Sequence, residues 1–526
     1  MNNYADLVSL YEEFREFIKP TVRDGVPDFT AATMSRQYGD LKELQGRLQA
    51  IDITRWPVEQ QVDYHVVRAE MNGVEFDHRV LRQWARDPGF YNLTDGIYPR
   101  LLVHHSRSLS NWGLFEPVVP MSAAGVEDFR MKLQAVPKLF HQAKTNLIEA
   151  VGDLARIAIR VKEKDIQMLE RFAKQFKHHH PELISDTEAA IAATEDFRDW
   201  LSDKLENLPP QAGVGKENYN WWMKNVHLIP YDWEQFHTMV EGEYNRAMCF
   251  LKLEEHKNRN VPDSDISATK EVNDRRQREC AQKVFEFVRD EEIITVPEDL
   301  EPLPPHLFPR MWGKSAYLRE DDRGFFEETN DREPMTNVAH VFFGHYYLGG
   351  RKIWYQEHDK RPIRSDIRLY DMHEARSEAL AFGIEEWLMQ LGLFDDNPRS
   401  REITYTWLAF RAIRALSDLR MHSNEYSLDD ALENLANGVP NGWAEVDSDA
   451  VWWDIEETLR APGHSANYTV GKNMIQQLMV EQAQQLGDDF SIRRHYDDFM
   501  NGGIMPIALS RWELTGYGDQ MAQLLE

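Results

Sequence analysis

The chain has 526 residues, 42% of them apolar and 11% aromatic, with 60 basic against 88 acidic side chains for a net charge of −28. That length and apolar content can fill a large core in one body or several and exclude a disordered chain. The acidic balance repels phosphate backbones and anionic lipid, which argues against nucleic acid or membrane partners and leaves small neutral or cationic substrates open.

At the N-terminus, residues 1–20 lack a basic start followed by an apolar stretch and read as an amphipathic helix, not a signal peptide. No run of about 18 apolar residues occurs, so no transmembrane helix is expected. The two cysteines, Cys249 and Cys280, are too few for a disulfide framework or a thiolate metal site, and a cytoplasmic location follows as the expectation. Helical periodicity then dominates, over 5–18, 126–161, 165–176, 185–205, 233–257 and 267–291. Leu147, Val151, Leu154 and Ala158 recur at three and four spacing with charge between them, which predicts one helix running through them. His178, His179 and His180 stand side by side before Pro181 and read as a solvated helix end. Pro-rich breaks fall at 207–215, 296–310 and 397–400. The break at 296–310 is the boundary expected between an N-terminal portion, 1–300, and a C-terminal portion, 301–526, that carries the chemistry, the two forming one body. The aromatic stretch 324–330 reads as a short strand or extended edge, against which an extended substrate would pair. The expected fold class is all-α, a large helical body with a deep cleft and that one short strand near the site.

The residues that carry chemistry follow this stretch. His340 and His345 lie five apart in an apolar segment. In an α-helix that spacing separates them by about 140°, so Gly344 must end or distort the helix to bring His345 round. Otherwise the two histidines are packing residues. Glu374, Glu378 and Glu385 share one helical stripe. Glu378 is followed by Ala379, Leu380, Ala381 and Phe382, which implies burial, and a buried carboxylate needs a metal, a proton or a cation such as Arg376 or Arg411. Asp418 and His422 are four apart, so that they bind together, or the aspartate fixes the histidine tautomer, or both belong to a surface ion network. Arg411 and Arg414 are spaced to hold a carboxylate, and Tyr468 and Tyr496 are candidate oxyanion donors.

Taken in order, these pieces resemble the bacterial family called domain of unknown function 885, whose members are helical and similar to gluzincin metallopeptidases. The counterparts of the family's motifs are AHVFFGH (339–345), EALAFGIE (378–385), RAIRALSDLRMH (411–422), PGHSANYTVG (462–471) and HYDDFMNGGIMP (495–506), with further likeness over 214–236 and 55–71. The resemblance implies a divalent metal, zinc foremost, held by two histidines and a glutamate, with His345 matching the second histidine and Glu378 the glutamate. The first part departs from the pattern. Aligned without a gap, Ala339 stands for the first histidine and His340 for the general-base glutamate. With one residue deleted, His340 stands for the histidine and Val341 for the base, and in both alignments Phe343 replaces a proline.

The expected metal ligands are therefore His340, His345 and Glu378, and the expected catalytic set is His340, Glu374, Tyr468, His422, Asp418 and Arg411. The expected activity is metal-dependent hydrolysis of an amide bond in a peptide or other small molecule. The missing glutamate, whose kind contributes about 10²–10⁴-fold in rate, leaves two alternatives. One is a metal-dependent lyase or isomerase with His340 or His373 as base, and the other is a binding protein without catalysis. A homodimer is compatible with the sequence.

Overall fold

The computed structural model describes residues 3–23, 25–93, 114, 116–264, 266, 270–296, 324–347, 361–365, 369–370, 372 and 374–526, with the backbone alone at 270, 342, 346, 347 and 374. The architecture is all-α. The one sheet among the described residues is a hairpin of Val22–Arg23 against Val26–Pro27. Among the described residues no helix is long and apolar enough to cross a membrane. The chain forms two compact units that interleave along the sequence. Unit one takes Met1–Trp56, Val67–Val214 and Leu369–Asp371, and unit two takes Pro57–Val66, Gly215–Arg368 and Met372–Glu526. The Pro-rich break expected at 296–310 lies outside the described residues from 297 onward.

Unit one is built from α1 (Tyr4–Phe17), α2 (Ala31–Gln49), the second half of α3 (Val58–Phe76), α4 (Ala123–Asn146), α5 (Gly152–His179) and α6 (Ile184–Lys204). Its core is aromatic where the last three helices meet. Phe140 stacks on Phe197 with ring centroids 4.6 Å apart, and Phe129 meets Phe172 and Phe176 edge-on at 5.6 and 5.4 Å. The single helix expected across 126–161 is two helices. Hydrogen bonds from distant backbone break it: Gly152 N–H donates to Pro209 O at 2.6 Å and Asp153 N–H to Pro210 O at 3.0 Å, so the first turn of α5 finds its acceptors in another segment. Leu147 and Val151 stay buried in the connection, which is why the apolar rhythm runs through it unbroken. His178 and His179 end α5 in solvent as expected, but His180 is buried and its Nε2 accepts from Met121 N–H at 2.7 Å.

Unit two contains α7 (Trp233–Lys257), α8 (Lys270–Asp290), α9 (Phe325–Arg332), α10 (Glu374–Gln390), α11 (Arg399–His422), α12 (Leu428–Gly438), α13 (Asp449–Arg460), α14 (Ala466–Leu486) and α15 (Ile492–Asn501). Helix α7 opens on a capping box between Asp232 and Gln235 and packs along α11, where Trp233 Nε1 donates to Leu419 O at 2.9 Å. Helix α11 is buried on nearly all its faces, including Arg411, Arg414, Asp418 and His422. A helix with this environment has no solvated stripe, so its ionic groups must meet partners inside the protein.

The strand expected at 324–330 is helix α9. Gly324 N–H is taken by the Glu327 carboxylate at 3.1 Å, an N-terminal cap, and Thr329 Oγ1 donates back to Phe325 O at 2.8 Å. Phe325 stacks on Phe410 with centroids 4.1 Å apart, so the aromatic residues serve a helix-packing face and not a strand. An exposed edge for an extended substrate is therefore absent from 324–330.

Candidate metal centre

Residues Ala339–Tyr347 form a π-helix. Its i→i+5 hydrogen bonding widens each turn, so residues five apart come nearly one above the other. The spacing that diverges in an α-helix thus converges here, and His345 Nε2 lies 3.1 Å from His340 Nε2. Two glycine contacts then seat α10. A Cβ on Gly344 would lie 2.2 Å from Ala381 Cβ, and one on Gly471 of α14 would lie 1.9 Å from Ala375 O and 2.6 Å from Ala379 Cβ. The helix bearing Glu378 is held closely from both sides because neither neighbour has a side chain at the point of contact. As a result Glu378 Oε2 stands 3.2 Å from His345 Nε2 and 3.6 Å from His340 Nε2.

These three atoms have the spacing of metal ligands. Two ligands each about 2.0–2.1 Å from a tetrahedral ion are about 3.3 Å apart, and the three separations are 3.1, 3.2 and 3.6 Å. Among the described residues this trio is the one group of His, Cys, Asp or Glu side chains gathered closely enough to hold an ion. Its side chains are 9%, 37% and 12% exposed for His340, His345 and Glu378, so the trio opens to solvent on the His345 side. Two histidines and one carboxylate suit zinc and leave a fourth position for water or substrate.

Behind His340 lies a buried support. Its Nδ1 is 2.7 Å from Glu385 Oε1, and Glu385 in turn receives Arg411 through Nη1 at 2.9 Å and Nη2 at 2.8 Å. Arg411 Nη2 also lies 3.2 Å from His340 Nδ1. These two groups hold the ring from behind and leave Nε2 facing the trio. Burial drives the His340 imidazole well below its ordinary pKa range, with the Arg411 cation next in weight and His345 after it. A neutral ring is the form that ligates. Burial also pushes the Glu385 carboxyl up to about 8, against the opposing Arg411 and Lys472 cations.

The profile of a family described as "Bacterial protein of unknown function (DUF885)" matches residues 16–248 and 384–513. The chain belongs to this family. Two solved structures share the fold across the DUF885 chain. A proposed lipoprotein of unknown function from Shewanella oneidensis aligns with a TM-score of 0.69 at 14% identity, covering 98% of this chain and 100% of its own. A proposed lipoprotein from Colwellia psychrerythraea aligns with a TM-score of 0.70 at 13% identity, covering 98% and 99%. No curated protein matches the chain. The DUF885 match omits 249–383, so His340, His345 and Glu378 lie in the unmatched stretch while Glu385 and Arg411 lie in the matched one.

The other expected site residues of this DUF885 protein take several places. Tyr468 comes close: its ring runs parallel to that of His340 with centroids 6.5 Å apart, and the Arg414 guanidinium sits 4.7 Å over it. Arg414 itself pairs with Asp454 at 2.5 Å. Asp418 is a backbone anchor. Its Oδ1 accepts from Gly463 N–H at 3.0 Å, and its Oδ2 from Ser465 and Ala466 N–H at 2.9 and 3.1 Å, which ties down the turn into α14. His422 Nε2 is 3.1 Å from Thr458 O and 3.9 Å from Asp418, too far for a hydrogen bond to the aspartate. Of the two expected cations, Arg411 holds Glu385 and Arg376 donates to Phe499 O at 2.6 Å. Tyr496 packs near Trp387 and His495. The side chain of Glu374, and His373 altogether, lie outside the described residues. In the sequence Glu385 shares the stripe of Glu378 and has no assigned role. The signal was its position seven residues on, two turns along the same face.

Proposed function

We propose that this DUF885 chain is a metal-dependent hydrolase that cleaves an amide bond in a peptide or other small substrate. The observation that carries the reading is the trio His340 Nε2, His345 Nε2 and Glu378 Oε2, mutually 3.1 to 3.6 Å apart, with Glu385 and Arg411 behind His340. These residues fit a zinc ion by donor type and separation. Zinc bound there supplies Lewis-acid polarisation of a carbonyl and a water acidic enough to ionise near neutral pH.

The chain's own groups do the rest. Arg411 and Glu385 hold the His340 ring in one orientation from its buried side. Tyr468, alongside His340, is the hydroxyl proposed to donate to an oxyanion. His345, the most exposed member, marks the side from which substrate enters.

One observation favours a second reading. Val341 follows His340 where the family pattern implies a glutamate base. A lyase or isomerase step uses carbonyl polarisation but needs no activated water, and this would tolerate the valine.

The test is metal analysis of the full chain purified without chelator, followed by a panel of dipeptides and small amides with and without chelator. About one zinc per chain and chelator-sensitive amide cleavage are expected. Bound metal without cleavage of any amide moves the assignment to the lyase or isomerase reading. A chain that takes up no divalent metal overturns both.

A further inference from the structure

Unit one contains a cavity of about 120 Å³ at the end of α3, apart from the chemistry of the trio. Helix α3 does not stop at Phe76. It passes into a π-turn, Asp77–Leu81, which closes at Arg82 with a left-handed backbone, φ 44°. A single π-turn with a strained non-glycine exit is a feature that recurs at functional sites. Here it turns Asp77 and His78 into the cavity wall, beside Trp84, Phe90 and Tyr370.

Asp77 is 4% exposed, and its Oδ1 has no hydrogen-bond partner among the described residues. Nor does a lysine or arginine pair with it among them. The charges nearby are accounted for. Asp28 is taken by Thr30 Oγ1 at 2.7 Å, Thr33 Oγ1 at 3.0 Å and Arg23 at 3.0 Å. Lys19, Arg36 and Asp40 are exposed and keep their water. His78 is held neutral: burial, with the Arg82 cation second, lowers it to about 4, and its Nε2 faces Gln37 Oε1 at 3.1 Å. A buried carboxylate with no counter-charge is stable in a fold only as the neutral acid or with a cation brought from outside.

We propose that this cavity binds a small organic cation, an ammonium on a short apolar stem, with Asp77 as its counter-ion and the aromatic wall around its stem. Aromatic faces attract a cation as well as an apolar chain, so Trp84, Phe90 and Tyr370 serve both ends of such a ligand. The volume sets the size. An engineered cavity of about 150 Å³ takes benzene, so about four to six non-hydrogen atoms fit here.

The experiment is calorimetric titration of the full-length protein with n-butylammonium chloride and, separately, with n-butanol, which has the same shape and no charge. The ammonium is expected to bind about tenfold or more tightly than the alcohol. Asp77→Asn should remove that preference, bringing the two within about twofold. Met34→Trp, which fills the cavity and leaves Asp77 in place, should abolish binding of both. The proposal is overturned if wild type binds neither compound at about 20 mM, if it binds both equally, or if the filled variant still binds the ammonium. Should Asp77→Asn fail to fold, the wild-type preference and the filled variant decide the matter.

Discussion

Gly344 and Ala381 touch backbone to side chain, so closely that a methyl group on the glycine would stand 2.2 Å from the alanine Cβ. The contact lies three residues along α10 from Glu378 and one residue before His345, so it sets how near the carboxylate comes to the imidazoles. Gly344→Ala should force the π-helix and α10 apart by some tenths of an ångström or more. Overpacking of this kind costs about 1–3 kcal/mol, which should be visible in chemical denaturation. Metal affinity should fall at least as sharply, read by competition with a chelating dye. A variant that is destabilised yet binds metal as wild type would show that the approach of the two helices does not govern the trio.

Glu385→Gln tests the support behind His340. The glutamine keeps the volume but removes the carboxyl group that lies against both His340 Nδ1 and Arg411. Loss of such a partner typically weakens metal binding by about 10–100-fold. Breaking a buried ion pair by one partner also costs about 3–5 kcal/mol. The adjacent Glu386 separates the two effects, since it pairs with Arg246 at 2.6 Å and Lys472 at 2.6 Å instead of with the trio or its support. Glu386→Gln should lower stability and leave metal affinity within about twofold. Equal loss of metal from both variants would argue that general destabilisation, not the His340 contact, is responsible.

Asp418→Asn should do the opposite of a ligand mutation. The carboxylate gathers the N–H groups of Gly463, Ser465 and Ala466 on two oxygens, whereas an asparagine offers one acceptor and turns an amine toward the rest. Each buried amide left without an acceptor costs about 1–3 kcal/mol. The unfolding midpoint should drop while chelator competition stays unchanged. Metal loss out of proportion to the stability change would give Asp418 the role at the ion that its spacing from His422 first suggested.

Much of this was legible in the sequence. The all-α class followed from apolar periodicity, and the helix expected over 233–257 is Trp233–Lys257. His340, His345 and Glu378 stand out by residue type and expected burial, and it is the family resemblance that implies they are ligands. What periodicity could not report was the π-helix, because its hydrogen-bond shift leaves no mark on a rule built for 3.6 residues per turn. Glycine at 344 hinted at distortion, but its reason is a partner 37 residues away in sequence, Ala381. The misread stretches have the same origin. The break before Gly152 is imposed by the carbonyls of Pro209 and Pro210, and the helix at 325–332 by the stacking of Phe325 on Phe410. Tertiary contacts decided each case against a local signal.

The last prediction concerns pH and two buried groups that pull in opposite directions. Burial lowers His495 to about 4, and its Nδ1 lies 2.6 Å from Gln482 Oε1. Between pH 6.5 and about 4 the unfolded histidine is protonated and the folded one is not, so the unfolded state binds more protons and stability falls as the pH falls. Burial raises Asp77 from the ordinary carboxylate range to about 7. Between about pH 4 and 7 the folded aspartic acid keeps its proton while the unfolded one loses it, so this group makes stability fall as the pH rises. The two contributions offset each other in the wild-type profile and separate only in variants. Denaturation curves from pH 4.5 to 8 should show His495→Gln losing less stability than wild type on acidification, by about 1.4 kcal/mol per pH unit at most. Asp77→Asn should lose more than wild type over the same range, because the group that gains on acidification has been removed. If both variants kept the wild-type slope, neither group would be titrating between the folded and unfolded states. A flattened slope in Asp77→Asn alone would mean that its carboxyl is already ionised in the fold, with a cation beside it.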